Sequence, residues 1–191
     1  MANKVHFDLK NVHFAPLTVT DGVPTWETPV KLPGAISADL SAQGEITKLR
    51  ADGTDYYVVN GNNGYEGEVN FAQVADEFRI QALGEELSET EKVLIENALK
   101  DGKPFALLFE FLGDSKNRRH VLYNCKSSRP NITGENKENQ KEADTESVTI
   151  TASPLENGDV KASTTDDTPA ATYDSWFTEV WTKLAGTGEG A

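Results

Sequence analysis

From Gly64 to Phe71 the chain alternates without a break. Tyr65, Gly67, Val69 and Phe71 fall on one side of an extended backbone, while Glu66, Glu68 and Asn70 fall on the other. Successive strand residues point to opposite faces, so this pattern describes a strand with one face in a core and an acidic face in water. The turn-rich run Asn60-Gly61-Asn62-Asn63 leads directly into it. An acidic, solvated sheet face suits a negatively charged conduit; it equally suits the outer surface of any soluble β protein.

Other segments repeat the pattern. Residues 4–14 alternate, with Val5, Phe7 and Leu9 against His6, Asp8 and Lys10, and residues 35–41 set Ile36, Ala38 and Leu40 against Ser37, Asp39 and Ser41. Between them Pro16, Pro24, Pro29 and Pro33 punctuate an arm containing Trp26. Proline keeps that backbone extended but withholds a ladder donor, so residues 15–34 read as a partly edge-like segment. Residues 105–112 are apolar on both sides except for Glu110, as in a strand buried on both faces, and His120 to Cys125 follow at hairpin distance. Val148 to Ala152 form a β-branched strand, and 159–163 a further short one.

Residues 42–63 read as a projecting hairpin of their own, 46–50 and 56–59 around Ala51-Asp52-Gly53-Thr54, because Asp-Gly between two β-prone runs is a strong hairpin signal. Two segments read as helices inside this β-rich chain. Val74 and Phe78 lie on one side of residues 72–83, which Gly84 stops; Ser88-Glu89-Thr90-Glu91 fits a capping box before Val93, Leu94, Ile95 and Leu99, predicting a helix over 88–100. A short C-terminal helix is expected after Asp174, carrying Trp176, Phe177, Val180 and Trp181. Residues 127–146 are polar and aromatic-free and read as a surface loop, and 185–191 as a flexible Gly-rich tail. The whole reads as one mainly β domain over 1–184.

Composition narrows the function classes. With 31 acidic against 18 basic residues the formal net charge is −13, which argues against binding nucleic acid or an anionic membrane. A single cysteine, Cys125, permits no intrachain disulfide and suits synthesis in a reducing cytoplasm. No signal peptide or membrane-spanning run is expected. His6, His13 and His120 have no metal-ligand spacing, the 60–68 cluster lacks the acid ladder of a calcium loop, and no nucleophile elbow, phosphate loop or dinucleotide fingerprint occurs. Neither metal nor cofactor is expected, and no enzyme activity.

Taken in order, Lys4-Val5-His6-Phe7 with Lys10-Asn11-Val12-His13-Phe14-Ala15, Thr28-Pro29-Val30 with Leu32-Pro33-Gly34-Ala35, Gly64-Tyr65-Glu66-Gly67, Phe105 to Phe111, and Arg119 to Cys125 with Arg129-Pro130 form a collinear set. Over about residues 3–180 this set resembles the major tail protein of long-tailed bacteriophages and prophages of Gram-positive bacteria. It departs from that pattern in its loops and in the helical look of 89–100.

The resemblance implies a β-sandwich tail-tube fold whose sheet continues between subunits. Six copies form a ring, rings stack into a tube, and double-stranded DNA passes through the lumen without specific binding. It further implies a tape measure protein, a tail terminator and distal tail proteins as partners, no membrane, and a place in the virion tail after synthesis in the host bacterial cytoplasm. In that setting Asp39, Glu66 and Glu68 are the candidates to line the lumen. Ile46, Leu49, Asp52, Tyr56 and Tyr57 on the 42–63 hairpin are candidates for contact between rings. Phe7, Trp26, Trp176 and Trp181 are candidates for docking between subunits. The same acids would face solvent outside the tube if the sheet were turned the other way. A β-sandwich module binding carbohydrate or a host surface would also account for the strands and loops, and would cluster exposed aromatics on one face.

Overall fold

The structure, a computed structural model, describes residues 3–134 and 143–183. The middle of the polar loop expected over 127–146 and the Gly-rich tail expected over 185–191 lie outside the described residues. In chain order the elements are β1 His6–Thr20, β2 Val23–Trp26, β3 Val30–Lys31, β4 Ala35–Gln43, β5 Ile46–Ala51, β6 Thr54–Asn60, β7 Gly64–Phe71 and α1 Asp76–Gln81. They continue as β8 Glu86–Leu87, β9 Leu94–Ile95, β10 Phe105–Gly113, β11 Arg118–Ser127, β12 Glu146–Ala152, β13 Lys161–Ser163 and α2 Ala170–Ser175. The fold is mainly β with two short helices, as the alternating pattern predicts.

One antiparallel sheet runs in the order β2-β1-β10-β11-β12-β7-β4, with β13 beside β11 and β3 beside β1. It curls so far that β4 returns against β1 with no ladder joining them. Inside the curl lies the larger core, built from Val12, Phe14, Val69, Phe71, Phe105, Leu107, Leu122, Val148 and Ile150. Helix α1 closes one end of it with Phe78, whose ring meets Phe14 and Phe105 edge-on at 5.1 and 5.2 Å. Arg79 holds that helix down through Glu146 at 3.1 Å and Glu85 at 3.5 Å. A second, smaller core of Ala15, Ala106, Leu108, Val121, Tyr123 and Trp176 lies on the outer side of β1, β10 and β11. The central strands are therefore buried on both faces, which is why 105–112 is apolar on both.

β4 and β7 pair so closely that a Cβ on Gly67 would overlap the Asp39 carbonyl oxygen. Gly67→Ala is expected to force these strands apart and to destabilise the fold by about 1–3 kcal/mol. Urea titration checks this: the midpoint should fall with the slope unchanged.

Four local expectations differ from the structure. β1 does not end at Phe14 but runs to Thr20, turns at Asp21-Gly22, both with positive φ, and returns as β2. Its core residues are Val12, Phe14 and Leu17, whereas Val5 and Phe7 are exposed, because irregularities in the pairing with β10 reset which side faces inward. A bulge between Ala35 and Ser37 likewise turns Ile36 outward, leaving Ala35, Ala38 and Leu40 toward the core.

The helix expected over 88–100 is instead the small β8–β9 hairpin. Ser88 Oγ does accept from the Glu91 amide at 3.3 Å, but Lys92 has positive φ and the Ser88 amide donates to the Val93 carbonyl, closing a turn. Leu99 is almost wholly exposed, so no apolar stripe exists to dock a helix there. The C-terminal helix lies earlier than expected: α2 follows Pro169, Asp174 is inside it, and Trp176 caps its end.

Candidate assembly surfaces

Charged side chains in the interior are fully engaged in holding the fold. Glu110, the one acid in the double-buried strand, accepts from Arg119 Nε at 3.1 Å, Asn11 Nδ2 at 2.7 Å and Asn117 Nδ2 at 3.4 Å. Arg119 in turn lies 3.7 Å above the Tyr173 ring and 5.0 Å from Phe177, and also donates to the Tyr173 carbonyl. This ion pair latches the C-terminal segment onto the sheet. Cys125 is completely buried, and burial pushes its thiol up to about 12, so it carries no nucleophile at neutral pH. Among the described residues no group of three or more His, Cys, Asp or Glu is arranged to hold a metal ion. None of their helices is long and apolar enough to cross a membrane.

The acidic face is laid out by the ladder. Asp39 stands opposite Glu68, which stands opposite Thr149; Ser41, Glu66, Thr151 and Lys126 form the next row. All three carboxylates are exposed on the convex side of the sheet, opposite the larger core. A like-charge pair directly across a ladder costs stability, up to about 1 kcal/mol. The fold keeps one at Asp39 and Glu68, with a single cation, Lys126, in the adjoining row.

Past Gln43 and Gly64 the same two strands leave the body and continue as the β5–β6 arm. Gly61 donates to Glu45 and Asn63 to Gln43, so pairing barely lapses at its base. Asp52 and Gly53 both take positive φ, as a two-residue primed turn requires, and the ladder runs from Ile46 opposite Asn60 to Ala51 opposite Thr54. Leu49 faces the same side as its partner Tyr57, and Thr47 the same side as Val59. The other side carries Ile46 and Val58 together with Lys48 and Arg50, which share Asp55 at 2.8 and 3.4 Å. Ile46, Leu49, Tyr56, Tyr57, Val58 and Val59 are all exposed, Tyr56 at 72% and Tyr57 at 62%. An isolated two-stranded ribbon is marginal in water, and this one presents an uncovered apolar side.

At the end of the curl away from α1 the core is open. Ala38, Leu40, Tyr65, Phe109, Phe111 and His120 surround a mouth of about 280 Å³, with Asp39 and Lys161 on its rim. His120 stacks on Phe109 at 5.2 Å and meets Phe111 at 5.6 Å, while Lys161 lies 4.5 Å above the Tyr65 ring. Burial, then the nearby Arg118, Lys161 and His6 charges, lower His120 from 6.5 to about 4. Burial also lowers His13, beside Phe177.

A neutral imidazole in the fold and a protonated one in the unfolded chain give the linkage its sign. Below 6.5 the unfolded chain takes up the proton first, so stability rises with pH and is lost as pH falls from 6.5 toward about 4. Thermal melts between pH 6.5 and 5, above the ordinary carboxylate range, should show Tm falling. His120→Gln should flatten that slope in part, leaving the contribution of His13.

The four aromatic docking candidates are placed very differently. Trp176 is 2% exposed and belongs to the second core, with its indole N–H toward the His120 carbonyl at 3.4 Å. Trp26 packs on the same cluster and donates to the Tyr123 carbonyl at 3.0 Å. Trp176 is thus buried within the chain, whereas Trp26 packs on the same core with part of its surface still exposed. Trp181 stacks on Trp176 at 6.2 Å and remains partly exposed, and Phe7 is exposed. The apolar run on both sides of 105–112 marks Phe109 and Phe111 as core and does not distinguish them as rings of a mouth. No family model matches the sequence, and no curated protein matches it either.

Proposed function

We propose that the chain is a structural subunit that assembles with copies of itself, as a tail tube subunit of the long-tailed bacteriophage type. The observation that carries this is the β5–β6 arm: a regular hairpin, correctly turned and laddered, whose Leu49 and Tyr57 side no other described residue covers. A ribbon of that kind gains most of its stability from a partner surface. The free edge of β4 and the N-terminal part of β1, which β2 and β3 leave unpaired, supply a second contact, because unpaired strand edges template pairing with another chain. Arm and edge are different surfaces, so their contacts are heterologous, and such contacts generate rings when they close and stacks when they do not.

The resemblance supplies the form: hexameric rings stacked into a tube that DNA traverses during ejection, located in the virion tail. In that arrangement Asp39, Glu66 and Glu68 line the lumen, where carboxylates repel phosphate and keep DNA from adhering. Strong repulsion between copies at net charge −13 also gives assembly a salt dependence.

Sedimentation velocity across protein concentration and salt tests this reading. A shift from the 20.8 kDa monomer to large species, favoured by higher salt, is expected. A strict monomer at all concentrations and ionic strengths would instead favour the binding-module alternative, for which the aromatic mouth would be the binding site.

A further inference from the structure

Basic side chains are scarce on this chain, and four of the 18 line one pocket. Lys100 and Lys103 come from the segment that leads into β10, and Lys126 and Arg129 from the end of β11 and just beyond it. Phe105 stands opposite Cys125, so the antiparallel pairing of these strands brings the two pairs of cations together. The pocket holds about 320 Å³, the space of roughly ten waters, and Asp101 is the one acid on its wall. Its lining thus carries a formal surplus of three positive charges in a chain whose total is −13.

The four cations are not equivalent. Lys100 pairs with Glu86, and Arg129 pairs with Glu96 at 3.0 Å while donating to the Asn97 and Lys100 carbonyls at 3.5 and 3.4 Å. Those contacts hold the wall of the pocket. Lys103 and Lys126 are exposed and have no carboxylate partner among the described residues, although the chain has 31 acids to answer 18 bases. Ser128, on the same wall, accepts the Thr149 amide on Oγ at 2.9 Å, which leaves its O–H as a donor. Buried Ala82 and Leu83 form an apolar floor, and a Cβ on Gly102 would overlap the Ala82 carbonyl oxygen, so floor and wall are packed tightly together. A cleft with one sign of charge over low-dielectric walls focuses its field on what enters it.

We propose that this pocket binds a small oxyanion of the phosphate class carrying two or more negative charges, held by Lys103 and Lys126 with Ser128 donating its hydroxyl. Ammonium groups present donors only, each a compact point charge suited to phosphate oxygens. A polymeric phosphodiester fits less well: it would have to lie along a molecule whose net charge repels it. The site is independent of whether copies of the chain assemble.

The test titrates inorganic pyrophosphate into the isotope-labelled, full-length chain at low ionic strength and follows the amide shifts. Two charge-assisted contacts of ordinary strength correspond to a dissociation constant of about 1 mM or tighter. Saturable shifts are expected on residues 101–103 and 126–129, and affinity should weaken as sodium chloride is added. Lys103→Gln with Lys126→Gln should raise the dissociation constant at least about tenfold, whereas Lys10→Gln, at an exposed lysine outside the pocket, should leave it unchanged. All three side chains are exposed, so each variant should melt within about 2 °C of the parent.

Shifts confined to other residues, or a dissociation constant unchanged in the double variant, would overturn the proposal. So would a titration that shows no saturable shift. A short DNA duplex forms the second arm and should bind at least about ten times more weakly than pyrophosphate. Equal affinity would make the patch a contact for nucleic-acid backbone, and the small-anion site would fall.

Discussion

Replacing Leu49 and Tyr57 together by serine is expected to leave the monomer intact and to abolish assembly. Both side chains are already exposed in the single chain, so folding stability should change by no more than about 0.5 kcal/mol and Tm should hardly move. Between copies the same side chains pass from water into a contact. Burying a large apolar side chain is worth about 1.5–3 kcal/mol, so losing two removes roughly 3–6 kcal/mol from each association step. At about 1.4 kcal/mol per tenfold, that is a rise of about two to four orders of magnitude in the concentration at which large species form. Sedimentation velocity gives the concentration and a thermal melt gives the stability. A parent and variant that assemble at the same concentration would remove the arm from the account.

Arg119→Ala is expected to have the largest effect on the fold. It leaves the Glu110 carboxylate almost fully buried with only the Asn11 and Asn117 amides, and frees the Tyr173 and Phe177 rings that the guanidinium covers. Breaking a buried pair by removing one partner costs about 3–5 kcal/mol, which for a chain of this size lowers Tm by roughly 10 °C. The loss should begin at the C-terminal segment, so tryptophan emission should shift red as Trp176 is uncovered, at denaturant concentrations below the main transition. Arg129→Ala is the contrast. Its pairing with Glu96 at 3.0 Å is exposed, so it should cost less than about 1 kcal/mol. Equal effects from the two would mean that Glu110 is not a latch.

These outcomes depend on features of uneven legibility. Where one residue type settles a backbone choice, the sequence is easily read: Asp52-Gly53 announces the arm's turn, and alternation at 64–71 announces a strand with an acidic face. Asp21-Gly22 carries the same signal, but the prolines around it made 15–34 look irregular. Pro16 is accommodated because the Leu17 amide beside it donates to Pro104 and its own carbonyl accepts from Glu27. The capping box at Ser88 is a real local contact that closes a turn, not a helix, since capping without a stripe to bury cannot hold twelve residues helical. Bulges defeat alternation in a simple way: one inserted residue at Ile36 turns its side chain outward.

The mouth was out of reach for a different reason. It exists because β10 and β11 run on past β12 and β7 while β4 curls back toward β1, a stagger that no single segment encodes. The burial of Trp176 also depends on tertiary packing. Helical spacing marked it as a docking residue, and the surface it docks on is the outer side of its own β10 and β11.

Electron microscopy of the concentrated protein, carried to a resolution that traces the strands, decides whether the chain builds tubes. Closed rings that stack into tubes are expected, with arms crossing from one copy to the next and the Asp39, Glu66 and Glu68 face turned toward the bore. Isolated particles at every concentration, or tubes with those three carboxylates on the outer wall and the arms free in solvent, would contradict that arrangement.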